Sequence, residues 1–472
     1  MAMTTITIIS STTVNPLVRM GSILNCFIVG DCIICVIVFA MRGICYVAQN
    51  RDIIYTKHMQ EHSRYAIGID IGTTTVRCVV GHVDSDTGAT KVIGVGQAPN
   101  SGMRKGMVSN LTGPAAAIDS ALGEAERVSG HQVDRATVSI NGSHIVSTKA
   151  DGMIAVGTQD HGVSDDDIAR LEEVATTGKV PPNREILEIV PHAYRLDGQD
   201  NIKDPVGMSG TRLEIHANIV SGLVPHIANV QKSSEMAKVD AAGIVPSVLA
   251  SARATLSESQ MENGVAVIDL GGATTGVAVF EEGDLQYVSV IPVGGINVTN
   301  DIAIGLKIDP ELADAVKLEH ARLDKEGASE LVEVKQDGQT TSYDRSELDE
   351  IVDMRYEQIF EAINKELKKA GRLGKLPSGV VLVGGGANVR GIVEYAKQHL
   401  GVAARVGKPA GYGGVSEQIE TPEYSAAIGL MLIDEQSGGA FSKNSGSGKS
   451  VQASKAMKKA GGFISSLLSK FR

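Results

Sequence analysis

The sequence predicts an α/β protein made of two similar halves that face each other across a cleft. A strand, an Asp-x-Gly turn and a second strand occur twice, around Asp70 and around Asp269. A third turn, of three consecutive glycines from Gly384, follows a short apolar strand at residues 379–383. The 472 residues also exceed what one hydrophobic core usually serves, so two or more domains are expected.

The first unit spans residues 67–77. Alternating apolar residues from Tyr65 onward predict a strand that ends in a turn opened by Gly72. Glycine lets backbone N–H groups approach an anion, the threonines that follow add hydroxyl donors, and an acidic side chain such as Asp70 suits a hydrated Mg²⁺. Taken alone, the stretch is better explained as an ordinary hairpin turn.

The repeat of this unit changes that interpretation. Residues 265–279 again contain a β-rich run, the turn after Asp269 and a second β-rich run. The elements predicted around the two turns are strands at 76–83 and 91–95 and a helix at 114–129 in the first half, and a strand at 285–291 in the second. Two such copies predict two domains whose turns hold a phosphate chain from both sides.

The turn of three glycines precedes a predicted helix at residues 389–400. Without side chains in the way, a flat ligand such as adenine or ribose can lie against the backbone there. An ordinary strand-to-helix turn explains this loop equally well when it is considered by itself.

Two segments differ from the repeated pattern. Residues 149–222 are predicted to form a small α+β insertion, and residues 300–373 are strongly charged and predicted to be helical. The elements predicted there are a helix at 165–176, strands at 185–194 and 211–221, and helices at 309–323 and 346–373. Charged helical faces are usually solvated, with a partner surface as the alternative.

Composition and cysteine content narrow the possible functions. The net charge of −11 and the absence of tryptophan argue against a nucleic-acid-binding protein, which would carry basic patches and stacking aromatics. Four of the five cysteines lie in the first fifty residues, leaving only Cys78 in the body, which fits a reducing compartment. The CxxC pair at Cys32 and Cys35 lacks the further ligands of a metal site.

Residues 1–58 differ abruptly from the rest. Residues 23–41 are almost wholly apolar and about long enough to cross a bilayer, although Asp31 lies near the centre. A membrane anchor, a signal peptide and an upstream extension absent from the working protein are the three alternatives. We discount the signal peptide because it would export a nucleotide site to a compartment without ATP. We favour the extension over the anchor, with the true start near Met59, because the composition changes abruptly there and Met59 stands just before the first predicted strand.

The C-terminal end combines a linker with an amphipathic segment. Residues 435–454 are rich in serine and glycine, and the last sixteen residues have a helical period. The apolar side carries Met457, Ala460, Phe463, Ile464, Leu467, Leu468 and Phe471, and the polar side carries Lys458, Lys459, Lys470 and Arg472. Such a helix could dock on the core of a domain, but after a flexible linker it is better explained as an interfacial membrane helix attracted to anionic lipid.

The three turns resemble those of the actin-like ATPase superfamily, which has a two-domain, ribonuclease H-like α/β fold. The motifs at residues 294–303 and 424–430 further resemble the FtsA family of bacterial cell-division actin homologues, and the resemblance runs from about Arg64 to the C-terminus. In that family the insertion is a displaced subdomain called 1C, which helps the protein to polymerise. The fold class implied is therefore actin-like, with duplicated nucleotide-binding halves and an inserted α+β 1C-type subdomain.

The resemblance implies a role for each turn in binding ATP and Mg²⁺. Asp70 and Asp269 would hold Mg²⁺ through water, and Arg77 stands where many relatives carry a phosphate-contacting lysine. The residues expected to bind the phosphates and the nucleoside are Gly72, Thr73, Thr74, Gly271, Gly272, Thr274 and Thr275, and Gly384, Gly385 and Gly386, respectively.

One departure from the superfamily bears on hydrolysis. Many of these ATPases carry a Gln or Glu near the start of the helix between the halves, where it orients the attacking water. Residues 241–250 read Ala-Ala-Gly-Ile-Val-Pro-Ser-Val-Leu-Ala and offer no such group. Because a positioned base or water contributes much of the rate, we expect tight nucleotide binding with slow hydrolysis.

The resemblance also implies a function, which is to polymerise on the cytoplasmic face of the inner membrane at the septum, tether the tubulin-like protein FtsZ and recruit later division proteins. A kinase or phosphatase of the same superfamily and a PilM-type pilus assembly platform are the alternatives. The expected domain boundaries are 1–58 extension, 59–148 subdomain 1A, 149–225 subdomain 1C, 226–260 return to 1A, 261–295 subdomain 2A, 296–375 subdomain 2B, 376–408 return to 2A, 409–434 return to 1A, 435–454 linker and 455–472 membrane helix.

Overall fold

A computed structural model divides the chain into two compact units, Met1–Ser63 and Arg64–Arg472. In the first unit it describes the backbone of residues 22–29, 32–39, 44–49 and 52–57. In the second unit it describes residues 64–84, 87–156, 162–324, 331–336, 339–414, 419–437 and 440–441. The amphipathic segment at 455–472 and most of the linker before it lie outside the described residues.

The first unit contains an antiparallel four-stranded sheet with strands in chain order. Its strands are β1 (Ser22–Val29), β2 (Cys32–Phe39), β3 (Ile44–Gln49) and β4 (Asp52–Lys57). The apolar stretch considered as a membrane anchor thus supplies two strands of this sheet. Across the described ranges, no helix has both the length and the apolar character needed to cross a bilayer.

The second unit begins with the strands and helix predicted for the first half. These elements are β5 (Arg64–Ile71), β6 (Thr75–Val83), β7 (Thr90–Pro99), β8 (Met103–Arg104), β9 (Met107–Val108), α1 (Thr112–Ser129) and β10 (Arg135–Ile140). The insertion follows as β11 (Val146–Ala155), α2 (Asp165–Thr176), β12 (Arg184–Leu196), β13 (Gln199–Ile202) and β14 (Arg212–Leu223). The chain then returns through α3 (Val224–Met236), β15 (Asp240–Pro246) and α4 (Ser247–Thr255).

The second half has the same opening pattern and ends by returning to the first. Its elements are α5 (Glu258–Asn263), β16 (Val265–Leu270), β17 (Thr275–Glu281), β18 (Asp284–Ile291), α6 (Gly295–Leu306), α7 (Pro310–His320), β19 (Leu331–Gln336), β20 (Gln339–Asp344), α8 (Arg345–Lys369), β21 (Val380–Val383), a 3₁₀ turn at Gly385–Asn388, α9 (Ile392–Leu400) and β22 (Ala404–Val406). The return contains β23 (Gly413–Gly414), a 3₁₀ turn at Pro422–Tyr424, α10 (Ser425–Gln436) and β24 (Ala440–Phe441).

Two sheets organise these elements. The first has the order β15-β10-β5-β6-β7-β23, with β24 paired to β5, and the second has the order β13-β12-β14-β11-β18-β17-β16-β21-β22. Each half therefore contains an antiparallel three-stranded unit extended by parallel strands, β10 and β15 in the first half and β21 and β22 in the second. This shared order confirms the duplication predicted from sequence.

The insertion joins the sheet of the second half. Val146 of β11 pairs with Ser289 of β18, and the buried Asn218 side chain donates to the Leu285 carbonyl at 3.2 Å. Lys203 of the insertion forms an ion pair with the buried Asp284. The nine-stranded sheet is therefore continuous from the insertion into the second half.

Helix α10 lies at the centre of the first half and packs directly against β5 and α4. A Cβ on Gly68 of β5 would lie 2.2 Å from the Ala427 carbonyl oxygen, and a Cβ on Gly429 would lie 1.7 Å from that of Ala250. Only glycine permits either approach. The helix is buried on all sides from Ser425 to Asp434.

The structure corrects two of the predicted elements. Residues 300–373 are not helical throughout, because β19 and β20 form an antiparallel hairpin within them. Alternating β-branched and polar residues and the intervening Asp337-Gly338 dipeptide are hairpin signals in that sequence. The helix predicted from 389 begins only at Ile392, since the glycine turn continues as a 3₁₀ turn and Gly391 has a positive φ of 83°.

A carboxylate in the core connects three elements of the first half. Asp434 of α10 accepts from the Ile67 N–H of β5 at 3.0 Å and from the Thr137 hydroxyl of β10 at 2.8 Å. We expect Asp434→Ala to lower the free energy of unfolding by about 2–5 kcal/mol, because two buried donors lose their acceptor. Urea denaturation of the two proteins measures the difference.

The matched control is Asp434→Asn. An amide keeps one oxygen for the Ile67 N–H and donates to the Thr137 hydroxyl, so most of the stability should be retained. Equal losses for the two variants would contradict the hydrogen-bond explanation.

Candidate functional site

The two Asp-x-Gly turns have matching local geometry. Asp70 lies near the end of β5 and Asp269 near the end of β16, and each turn leads directly into an antiparallel strand. A Cβ on Gly72 would lie 2.5 Å from the Thr75 carbonyl oxygen, and one on Gly271 would lie 2.9 Å from that of Thr274. Both turns thus need glycine at the same position for the same reason, a close approach of backbone to backbone.

All three turns meet in one place. A Cβ on Gly272 would lie 2.8 Å from a methyl group of Thr74, so the turns of the two halves face each other in contact. A Cβ on Gly384, whose φ is 81°, would lie 2.5 Å from Oδ1 of Asp269. The structure therefore brings together the three glycine turns that the sequence predicts to form one site.

The threonines of the two turns differ in exposure. Thr274 and Thr275 are buried, and the Thr275 hydroxyl donates to the Val293 carbonyl at 2.9 Å. Thr73 is half-buried, and Thr74, which lies at the contact between the turns, is exposed. Thr73 and Thr74 are therefore the more accessible hydroxyl donors, while the Thr275 hydroxyl is already engaged within its own half.

The site concentrates negative charge. Burial and, second to it, the charge of Asp70 raise the pKa of Asp269 to about 7, and a weak contact from the Ser251 hydroxyl at 3.5 Å acts against the rise. Burial likewise raises the pKa of Asp70, with the Ser139 hydroxyl and then the Arg77 guanidinium opposing it. Two carboxylates that disfavour each other's ionised form are a chemically suitable place for a divalent cation.

Magnesium fits this donor set. Within the described part of the chain, no group of three or more His, Cys, Asp or Glu side chains forms a metal cage. Mg²⁺ prefers one or two carboxylates, with water and phosphate oxygens completing its octahedron. Asp70 and Asp269 would hold such an ion, whose charge would neutralise the phosphates of a bound nucleotide.

Arg77 lies beside this acidic pair. It stands on β6 directly opposite Asp70 in the β5–β6 ladder, and its Cζ atom lies 5.4 Å from the centre of the Tyr424 ring. Its charge lowers the pKa of both carboxylates, although this effect is smaller than the rise that burial causes. A cation is thus present where the sequence predicts a phosphate contact.

Several residues around the turns were not predicted from sequence. The Ser139 hydroxyl of β10 accepts from the Ile71 N–H at 2.7 Å, where the β5–β10 ladder has ended. The Asn100 amide donates to the Gly72 carbonyl at 2.7 Å and so holds the first turn. Both residues lie far from the motifs in sequence, and no local pattern identifies them.

The start of α6 supports the second turn. The Gly295 N–H donates to the Gly271 carbonyl at 3.0 Å, and the Ile296 N–H donates to the Gly272 carbonyl at 2.6 Å. A Cβ on Gly294 would lie 2.5 Å from the Gly271 carbonyl oxygen. The Gly-Gly pair at this position is the sequence signal for the contact, and a structural role explains it.

The helix between the halves begins at Ser247, next to the site. Its first residues are Ser247, Val248 and Leu249, and its second turn brings the Ser251 hydroxyl toward Asp269. The Ser251 hydroxyl is the polar side chain of this helix that contacts Asp269. A carboxylate or amide for orienting water does not occur in the helix, whose sequence is Ser-Val-Leu-Ala-Ser-Ala-Arg-Ala-Thr.

Family models match two parts of the chain. A model described as cell division protein FtsA matches residues 266–429, and a model described as the SHS2 domain inserted in FTSA matches residues 142–221. The second range covers β11 to β13 and most of β14, the strands of the insertion.

Curated relatives match most of the chain. The cell division protein FtsA of Neisseria meningitidis is 36% identical over 378 residues, which are 79% of this chain and 91% of the relative. That of Pseudomonas aeruginosa is 34% identical over 402 residues, which are 84% of this chain and 96% of the relative. That of Bacillus subtilis is 34% identical over 369 residues, which are 77% of this chain and 82% of the relative.

Among solved structures, a PilM-PilN type IV pilus biogenesis complex contains a similar chain. The TM-score is 0.57 at 16% sequence identity, and the match covers 78% of this chain and 97% of the other. At this identity the likeness concerns the fold alone.

Proposed function

The chain belongs to the FtsA family of cell division proteins, and from that premise we propose that it is an ATP-binding polymer-forming protein of the division septum. Its fold is that of the actin-like ATPases, with the family's inserted domain. The family membership supports the role in division. The meeting of three glycine turns around Asp70 and Asp269 supports the proposal that the chain binds a nucleotide.

ATP with Mg²⁺ is the proposed ligand of the cleft. The accessible backbone of the first turn, with Thr73 and Thr74, would bind the phosphates from one side, and Gly271 and Gly272 would bind them from the other. The remaining contacts would come from Arg77 and Thr274 to the phosphates and from Gly384, Gly385 and Gly386 to the nucleoside. Since α4 offers the Ser251 hydroxyl to Asp269 and contains no carboxylate or amide side chain, hydrolysis would be slow.

The proposed action takes place on the inner membrane. The amphipathic segment of the last sixteen residues would insert the apolar side that includes Phe463, Ile464, Leu467, Leu468 and Phe471 into an anionic leaflet. The linker of residues 435–454 would separate it from the folded body. Copies of the chain would polymerise on this surface, tether FtsZ filaments and recruit later division proteins.

A pilus assembly platform of PilM type is the second candidate, favoured by the likeness in fold. The linker and the basic, amphipathic end argue against it, because a platform held by protein contacts needs neither. A kinase or phosphatase of the same superfamily would similarly have no use for a membrane-binding end.

Co-sedimentation with FtsZ polymers and liposomes tests the proposal. We expect FtsZ polymers to pellet with anionic liposomes only when the full chain and ATP are present, and to remain unbound to liposomes when the last sixteen residues are removed. The truncated protein should still pellet with FtsZ polymers in the absence of lipid. Failure of the full chain to pellet with FtsZ polymers would reject the tethering role.

A further inference from the structure

Arg77 reaches the nucleotide cleft from a fixed aromatic surface. Its guanidinium lies over the Tyr424 ring, and its Nε atom is buried without a hydrogen-bond partner among the described residues. A cation over the face of a ring is attracted to the ring's negative face, and the guanidinium also has a hydrogen bond with the Tyr424 hydroxyl, so that its other N–H groups are the ones available to a ligand. The edge of a guanidinium is the part that binds phosphate oxygens in pairs.

Tyr424 is held by contacts from both halves. The ring is 7% exposed, and its hydroxyl lies 3.4 Å from Oε1 of Gln97 on β7. Tyr424 ends a 3₁₀ turn whose first residue is Pro422. The Gly384 N–H of the third turn donates to the Pro422 carbonyl at 2.9 Å. The ring is therefore fixed between the strand of Arg77 and the turn proposed to bind the nucleoside.

We propose that Tyr424 is a positioning residue that orients Arg77 toward the phosphates of the bound nucleotide. This inference rests on the proposed function. Orientation matters more for arginine than for lysine, because a guanidinium is a planar fork whose donors have fixed directions, whereas an ammonium is a point charge. A long side chain with several rotatable bonds would also lose more conformational entropy on binding if no surface held it in place.

A binding series over ATP, ADP and AMP in the presence of Mg²⁺ tests the proposal by calorimetry. Tyr424→Phe keeps the ring and removes only the hydroxyl contact with Arg77, so it should weaken nucleotide binding less than Tyr424→Leu does. Tyr424→Leu should weaken the binding of ATP and ADP roughly threefold to thirtyfold and the binding of AMP much less. The strength of a cation–π contact corresponds to such a factor in affinity. Tyr395→Leu removes another buried ring, one that stacks on His399 in the second half, and serves as the control for general loosening.

A double-mutant cycle separates positioning from support of the fold. If Tyr424 acts through Arg77, Tyr424→Leu should cause no further loss of ATP affinity in a protein that already carries Arg77→Met. Equal losses in the two backgrounds, or an equal loss for AMP and ATP, would overturn the proposal. Should Tyr424→Leu fail to fold, phenylalanines of increasing fluorination at position 424 keep the shape and weaken the ring's negative face, and ATP affinity should fall stepwise.

The outcomes also distinguish this inference from the proposed function. Wild-type protein that binds no ATP at all overturns both. Wild-type protein that binds ATP, together with a fluorinated series of constant affinity, overturns only the positioning role of Tyr424.

Discussion

Asp269→Asn is expected to lower the affinity for Mg²⁺-ATP by about a hundredfold or more, since removing one member of a buried, fully engaged set of charges costs at least 2–5 kcal/mol. The loss should be largest at millimolar Mg²⁺ and small when the metal is chelated, because the carboxylate is proposed to act through the ion. Without ligand, the variant should unfold at the same or a higher temperature, since Asp70 and Asp269 disfavour each other's charge. Calorimetry and thermal denaturation measure the two effects.

Asp284→Asn is the matched control for this experiment. Asp284 is another buried acidic residue of the second half, but it pairs with Lys203 of the insertion and lies outside the cleft. Its replacement should leave nucleotide affinity unchanged. Unaltered Mg²⁺-ATP binding by Asp269→Asn would contradict the assignment of the site, and rapid hydrolysis that is abolished by Asp269→Ala would contradict the expected slow turnover.

Leu467→Glu is expected to release the protein from anionic liposomes. A leucine side chain contributes about 1.5–3 kcal/mol when it is buried, so its loss alone weakens binding roughly tenfold to a hundredfold, and a charge placed on the apolar side adds to that loss. Sedimentation with vesicles of defined anionic lipid content measures the effect.

Ser465→Glu provides the control for the added charge. Position 465 lies on the polar side of the segment. The substitution should therefore reduce the free energy of membrane binding only through charge repulsion, by about 1 kcal/mol near an anionic surface. If both variants lose binding equally, charge alone attracts the segment, and insertion of an apolar face is excluded.

The sequence contains enough information to predict the arrangement of the cleft. Asp70 and Asp269 are found by a repeated local pattern, and the helix predicted at 165–176 occurs with those bounds because Ser164 and Asp167 form a capping box at its start. Such signals lie within a few residues of one another. They are therefore readable from one chain.

The contacts that complete the site depend on residues distant in sequence. Ser139 and Ser251 contact the ends of β5 and β16 from different elements, and nothing adjacent to them distinguishes them from other buried serines. Tyr424 opens the motif at residues 424–430, but its contact with Arg77 is not readable from that motif. The hairpin of β19 and β20 is a different case, because its alternation and Asp-Gly dipeptide are present but weaker than the helical pattern on either side.

The continuous nine-stranded sheet has a consequence for motion. The insertion is joined to the first half by a short connection before Val146 and directly at Leu223, where α3 follows without a loop, yet its strands are bonded to β18 of the second half. Separating it from the second half would break backbone pairing, a buried amide contact and the Lys203–Asp284 ion pair. If the two halves rotate when a nucleotide binds, the insertion travels with the second, and the bend occurs near Gly142, whose φ is 122°. A distance label on α2 would then report cleft closure against α1 and stay constant against β17.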